Sequence, residues 1–383
     1  MMKRLIIDGS NLRSGGGVTH ITEILNNISD EKQAFDEVVL FSNHNTLGKI
    51  QERPWLKKES HPWLNKGLLH ITMWKKTKLK SFLKEEQKNN NSLLFTPPGT
   101  YTGFFRPYVG MSRNMLIFDS TESDRYGFSW MKFKFWLLRK EQTKSFENSK
   151  QVIFISKYAK KTAQKFLKKD ISNAPIIHHG VNKKFVEKPK AQKPITDYKE
   201  SPFKLLYISP ITVYKHHVPL IKAVKKLHEE GYPIQLDLVG GSYAKSLKAF
   251  NEECNSDSSY QKIVKYHGKV AYDTIENFYK TSDAFIFAST CENMPNILIE
   301  AMSAGLPVMC SNFNPMPEFL GTSHPFYFDP TEEKEAYNKL KKFIDSPESR
   351  YSSAQASFAK TQEYNWVKCA EETFECLIST LKQ

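Results

Sequence analysis

Residues Asp283–Glu318 read DAFIFASTCENMPNILIEAMSAGLPVMCSNFNPMPE. The run AFIFA predicts a buried strand, because an unbroken apolar stretch of that length, rich in aromatic and branched residues, suits a sheet covered on both faces. A tight polar turn, STCENM, follows. A helix is then predicted to begin near Pro295, since proline lacks the N–H that the first helical turn leaves unpaired anyway. On a helical wheel Ile297, Leu298, Ala301, Met302 and Ala304 share one arc and Glu300 falls on its flank, so the helix can pack on the sheet and still offer Glu300 to a ligand. Glu292 lies in the turn just ahead, and two carboxylates eight positions apart therefore bracket a helix N-terminus. The N–H groups of Asn293, Met294 and Asn296 suit a phosphate or a polarised sugar oxygen.

Outward from this stretch, apolar β-rich runs alternate with helical patterns. In the first half the strands predicted are KRLIID, DEVVLFS, SLLFT, NMLIF, QVIFIS and PIIHHG. In the second half they are FKLLYIS, IQLDLVG, KIVKYHG, DAFIFAS and LPVMCS. This rhythm is α/β with mainly parallel sheets. At 383 residues the chain exceeds what one core usually serves. The Lys/Pro-rich interval that begins at Lys183 has few large apolar residues. The expected organisation is a first domain over 1–185, a linker over 186–202 and a second domain over 203–364, with the default ligand site in the cleft between the domains. There is no internal repeat, and the only low-complexity feature is the polar turn KNNNS at 88–92.

With 40% apolar and 25% charged residues, composition excludes a disordered, collagen-like or disulfide-dense chain. No stretch approaches the roughly 18 uninterrupted apolar residues that span a bilayer, and MMKR runs straight into a strand without a signal-peptide core. A cytosolic protein is expected. The five cysteines (Cys254, Cys291, Cys310, Cys369, Cys376) form no CxxC pair and read as reduced thiols. The formal charge of +14 is uneven. Residues 1–185 carry 32 basic and 16 acidic side chains, whereas residues 186–383 carry 23 and 25. That asymmetry points to a polyanionic partner for the first half, either nucleic acid or an anionic membrane surface.

Glu292 to Glu300, in the frame ENMPNILIEAMSAGLPV with its NxP, EAM, GxPV and PE elements, resembles the E-x7-E signature of the glycosyl transferases group 1 family, whose members are retaining enzymes of GT-B fold. The resemblance covers most of the second domain and, more loosely, the whole chain. It implies two Rossmann-like domains facing a central cleft, with a C-terminal helix over 365–383 that crosses back to the first domain. By position, Glu300 would hydrogen-bond the ribose hydroxyls of a nucleotide-sugar, Glu292 would contact the donor sugar as a catalytic residue, and the backbone of Asn293 and Met294 would face the sugar or diphosphate. A carboxylate suits a hydroxyl pair because it accepts two hydrogen bonds at once.

In YISPITVYKHH, Lys215 falls where the family's phosphate-binding lysine stands. Six residues upstream, where the family often has arginine, this chain has Ser209. That loss of charge would have to be made good by a hydroxyl and by His216 or His217. The alternative for Lys215 is the start of a helix on a solvated face. Near the N-terminus, SGGGVTHITEIL resembles the family's first-domain glycine loop, with Gly16 and Gly17 letting the backbone approach a ligand. His20 stands where a dinucleotide fingerprint would place its last glycine. Asp119, at the end of the predicted strand NMLIF, is the candidate catalytic residue on the acceptor side; a turn-capping aspartate is its other reading. His178 and His179 read as structural. With no DxD motif and no cluster of metal-ligand spacing, no metal or other cofactor is expected, the nucleotide-sugar being a substrate.

The basic half concentrates its charge. Between Arg53 and Lys84 nine basic residues and one acid are interleaved with Trp55, Trp63 and Trp74, and between Trp130 and Lys169 there are twelve basic residues and two acids. Interleaved Trp and Lys suit an anionic membrane. No zinc finger, RNP-like segment or basic heptad region supports nucleic acid, which also leaves the two glutamates without a role. The reading is a hexosyltransferase-like enzyme working on a glycan or lipid-linked acceptor in cell-surface polysaccharide assembly, peripheral on the cytoplasmic face of the membrane. Its rivals are a nucleotide-sugar epimerase of similar fold and a non-catalytic nucleic-acid or membrane-binding module.

Overall fold

The computed structural model describes residues 2–89 and 91–382. Met1, Asn90 within the KNNNS turn and Gln383 at the end of the expected C-terminal helix lie outside the described residues. The chain divides into two units: Met1–Phe118 with Trp130–Gly180 and Tyr364–Gln383, and Asp119–Ser129 with Val181–Glu363.

The first unit holds β1 (Arg4–Asp8), β2 (Glu37–Phe41), β3 (Leu56–Glu59), β4 (Ser92–Thr96), β5 (Tyr108–Met111) and β6 (Gln151–Ile153), all parallel, in the order β3-β2-β1-β4-β5-β6. The second holds β7 (Phe203–Ile208), β8 (Ile234–Val239), β9 (Val264–Tyr266), β10 (Ala284–Phe287), β11 (Val308–Ser311) and β12 (Tyr327–Phe328), again parallel, in the order β12-β11-β10-β7-β8-β9. In each sheet the chain fills one side outward from its first strand and then returns to fill the other. Strand order therefore reverses between β1 and β4 and between β7 and β10, the points where an open α/β sheet leaves a crevice at its carboxyl edge. These are the two Rossmann-like domains of the GT-B class expected from the sequence.

The central strands are buried on both faces, which is why they read as continuous apolar runs: Leu205, Leu206, Phe285 and Ile286 are all fully buried. In the first unit the helix Gly16–Asn27 buries Val18, Ile21, Ile24 and Leu25, and the C-terminal helix Trp366–Lys382 packs against it. Phe374 of that C-terminal helix meets Phe35 and Trp55 edge-on.

Several sequence expectations are corrected. NMLIF is not a strand, because the Asn114 side chain accepts the Leu116 N–H and turns the chain, and the strand between β4 and β6 is supplied upstream by YVGM. PIIHHG contributes only a single bridge, Phe154 to Ile176. The strands β3 (LKKE) and β12 were not foreseen; each is short and lies at a sheet edge, where charge or brevity blunts pairing. The interval 186–202 is not a free linker. The Glu187 N–H donates to the Ser303 carbonyl at 2.9 Å, and buried Arg350 donates to Gln192 Oε1 at 3.2 Å and to the Lys193 carbonyl at 2.8 Å. These bonds strap the interval onto the second unit.

Gly305 makes that strap possible. It sits at φ +67° just after the helix Asn296–Ser303, and a Cβ there would lie 2.6 Å from both the Glu187 carbonyl oxygen and Pro189 N. Gly305→Ala should combine left-handed strain with a backbone clash and destabilise the fold by ~2 kcal/mol, read as a lowered midpoint of thermal unfolding.

Candidate functional site

The reversal of strand order in the second sheet brings the loop after β7 beside the loop after β10. The Thr290 N–H donates to the Tyr214 carbonyl at 3.0 Å, which ties the two loops together through their backbones. Lys215 Nζ and Glu292 Oε1 then form an ion pair, with the side chains 6% and 17% exposed. The buried Tyr207 hydroxyl donates to the Lys215 carbonyl at 3.0 Å and fixes the loop from below. Two residues expected to hold different parts of a donor are thus in contact with each other.

His216 follows Lys215 with φ +47°, the sole non-glycine positive φ among the described residues, and its Nε2 lies 3.1 Å from Thr290 Oγ1. Burial first, and Arg125 second, pull its pKa down to about 4. His217 is buried against the Tyr207 ring with Nε2 3.2 Å from Ser209 Oγ, and burial lowers its pKa to about 3. Neither histidine is a cation at neutral pH. Ser209 Oγ is spent on His217 in the interior, so the charge missing from that position is not replaced by these three side chains.

The helix Asn296–Ser303 begins after Pro295 and buries Leu298, Ile299, Ala301 and Met302, with Glu300 on its partly exposed flank. Of the three N–H groups singled out from the sequence, that of Asn296 is used internally, donating to the Met294 carbonyl at 3.0 Å. The Tyr279 hydroxyl donates to Glu300 Oε2 at 3.1 Å. Desolvation nevertheless raises the Glu300 pKa to about 7, opposed by Tyr279, Lys184 and Tyr272. Lys184 Nζ lies 4.2 Å from the centre of the Tyr272 ring. Tyr279, Tyr272 and Lys184 were not found from the sequence because they lie 21, 28 and 116 positions before Glu300 in the chain.

Asp119 belongs to the second unit, not the first domain, and caps the short helix Ser120–Asp124 by accepting the Glu122 N–H at 3.1 Å. The buried carboxylate nearby is Glu122. It bonds Thr290 and pairs with Arg125 Nε at 3.0 Å, and desolvation raises its pKa. In the first unit, Gly15 at φ +68° turns the chain into the helix Gly16–Asn27, and its carbonyl accepts the Val18 N–H at 3.0 Å. The Gly16 and Gly17 N–H groups lie at the helix start, and a Cβ on Gly17 would come within 2.9 Å of Leu12 Cδ2. His20 is buried, its ring 4.7 Å from that of His179. Among the described residues no three of His, Cys, Asp and Glu gather to hold a metal, and no helix is long and apolar enough to cross a membrane.

The raised Glu300 pKa has a consequence with a definite sign. A carboxyl whose folded pKa lies above its unfolded value makes the fold less stable as pH rises from about 4.5 to about 7. Glu300→Gln should therefore raise the melting temperature by a few degrees at pH 8 and change it little at pH 4, as differential scanning calorimetry would show.

Residues 188–359 match the family model described as glycosyl transferases group 1. Among curated proteins, sulfoquinovosyl transferase SQD2 of Arabidopsis thaliana is 26% identical over 105 residues, 26% of this chain and 21% of that protein. O-antigen chain mannosyltransferase B of Escherichia coli is 24% identical over 110 residues, 29% of each. The chain thus spans less than a third of the length of these relatives. Likeness of fold extends further. HepE of Anabaena, solved with UDP-glucose, aligns over 99% of this chain and 100% of its own with a TM-score of 0.70 at 16% identity. WaaG, a glycosyltransferase involved in lipopolysaccharide biosynthesis, aligns over 98% and 99% with a TM-score of 0.68 at 12% identity.

Proposed function

Because residues 188–359 match the glycosyl transferases group 1 family model, we propose that this chain transfers a sugar from a nucleotide-sugar to an acceptor hydroxyl, with retention at the anomeric carbon, in the assembly of a cell-surface polysaccharide or lipid-linked glycan. The observation that carries the reading is the placement of Lys215, Glu292 and Glu300 along one strand-order reversal inside the matched segment. Glu300, once ionised, accepts the two ribose hydroxyls. Lys215 exchanges part of its pairing with Glu292 for the departing diphosphate, and Glu292 then accepts from a hydroxyl of the donor sugar. Retention by a double displacement needs a carboxylate nucleophile about 5 Å from the general acid. No residue is assigned that role, so the reading takes a same-face displacement in which the leaving phosphate guides the acceptor. Lys215 and main-chain N–H groups bear the leaving charge without a metal. The UDP-glucose bound by HepE supports a uridine nucleotide-sugar as the first donor to try.

The site of action in this reading is an anionic membrane surface on its cytoplasmic side. The helix Trp130–Asn148 buries Phe146 in the first unit but leaves Trp130, Phe133, Trp136 and Leu137 exposed beside Lys134 and Lys140. Lys140 Nζ lies 3.9 Å from the centre of the Trp136 ring. Exposed rings among cations suit an interface where basic residues meet acidic headgroups.

Lys215→Ala and Glu300→Ala should each weaken UDP binding about tenfold in calorimetry, the loss of one charge-assisted contact. Unchanged affinity in both would remove the donor assignment, and isomerisation of the donor sugar without any acceptor would favour the epimerase. The membrane surface is tested separately: the protein should float with vesicles containing anionic lipid at low salt and be released as ionic strength rises. Trp136→Ser should reduce flotation.

A further inference from the structure

The reversal of strand order in the first sheet also has a crevice at its carboxyl edge. A cavity of about 600 Å³ lies there, lined by Asn11 from beyond β1 and by Thr100 and Tyr101 from beyond β4. Its opposite wall is unusual. Between the helices Leu68–Trp74 and Lys80–Glu86 the chain makes a π-helical turn, Lys75–Leu79, a widened form that is rare and concentrated at functional sites. The turn sets Lys75, Lys76 and Lys80 on the cavity.

These lysines are not equivalent. Lys75 Nζ lies 2.8 Å from Oδ2 of buried Asp8, so its charge is matched. Lys76 and Lys80 are exposed and enter no ion pair with the described residues. Glu141, exposed on the rim, is the acid in the lining. Two spare cations match the charge of about −1.5 to −2 on a phosphate monoester.

The lining also carries apolar side chains, Leu79, Leu83, Leu138 and Phe104, the last 45% exposed, beside the hydroxyls of Thr72 and Thr102. The helix Leu68–Trp74, which gives Thr72 to the lining, has Leu69 81% exposed and Met73 52% exposed on the same face as Thr72. Unpaired cations and hydrocarbon side chains on one cavity suit an amphiphile better than a free sugar.

We infer that the cavity holds the phosphate of an acceptor that carries a hydrocarbon chain, with Lys76 and Lys80 on the phosphate and Phe104, Leu69 and Met73 along the chain. That the ligand is an acceptor rests on the glycosyl-transfer reading, whereas its binding does not. The test is calorimetry on the full chain with three probes below micelle concentration: decyl phosphate, inorganic phosphate and decyl maltoside, with UDP titrated into the same samples. Decyl phosphate should bind at least tenfold tighter than either of the others. The double variant Lys76→Gln/Lys80→Gln should lose at least tenfold of that affinity, and Phe104→Ser should bring decyl phosphate toward inorganic phosphate, both with UDP binding and melting temperature unchanged. Equal binding of decyl maltoside would overturn the phosphate assignment. Equal binding of inorganic phosphate would overturn the amphiphile in favour of a free phosphate, and an unaffected double variant would overturn the site. Decyl phosphate bound by a protein that failed to bind UDP would support the cavity while removing the donor assignment.

Discussion

Lys215 and Glu292 stand 77 positions apart and touch because β7 and β10 are neighbours in a sheet whose order reverses between them. That one constraint positions nearly everything in the second unit that can meet a ligand. The pair is largely withdrawn from water, so either charge alone would carry a desolvation penalty that only a replacement partner could offset. A diphosphate entering beside Lys215 is such a replacement, and the sugar hydroxyl is the corresponding one for Glu292. In the proposed reading, donor binding is therefore an exchange of partners within a site already held in shape by the Tyr207 hydroxyl and by the backbone bond from Thr290 to Tyr214.

Burial then decides which neighbours can contribute charge. His216 and His217 both follow Lys215 directly, and on sequence grounds either could have replaced the arginine absent at Ser209. Their imidazoles are instead kept neutral by desolvation, one against Thr290 and the other against Ser209 and Tyr207. Each acts by holding a neighbour in place. The same physics acts on Glu300 with the opposite outcome for function. Desolvation brings its pKa to about 7, and a pair of ribose hydroxyls would favour the ionised form.

What was legible in the sequence was what is local. The run AFIFA, the Pro295 start and the apolar arc of the following helix are set by neighbouring residues, so Glu292 and Glu300 could be placed without coordinates. The positive φ of His216 could not, since histidine does not advertise a conformation that glycine would. Nor could Glu122, Tyr279 or Lys184, which reach the site only through tertiary packing. NMLIF misled for a related reason. It has the composition of a strand, but Asn114 offers the backbone a competing hydrogen bond, and Asp119 consequently caps a short helix in the second unit. The Lys/Pro-rich interval resembled a linker because its anchors, Ser303 and Arg350, lie more than a hundred residues downstream.

The excess positive charge of the first half also resolves into different physical situations. Around the helix Trp130–Asn148 the cations are exposed among exposed rings, and attraction to an anionic surface there is long-ranged, additive and screened over about 8 Å at physiological ionic strength. At the strand-order reversal between β1 and β4 the geometry is concave. There buried Asp8 fixes one lysine, and a π-helical turn presents two others beside apolar walls. A phosphate held at such a place is stabilised by short contacts as well as by the general field, so its binding should resist salt better than adhesion of the helix does. In the proposed readings salt dependence therefore separates a surface that would find a membrane from a cavity that would select a molecule in it, and one basic domain could carry both without competition for the same residues.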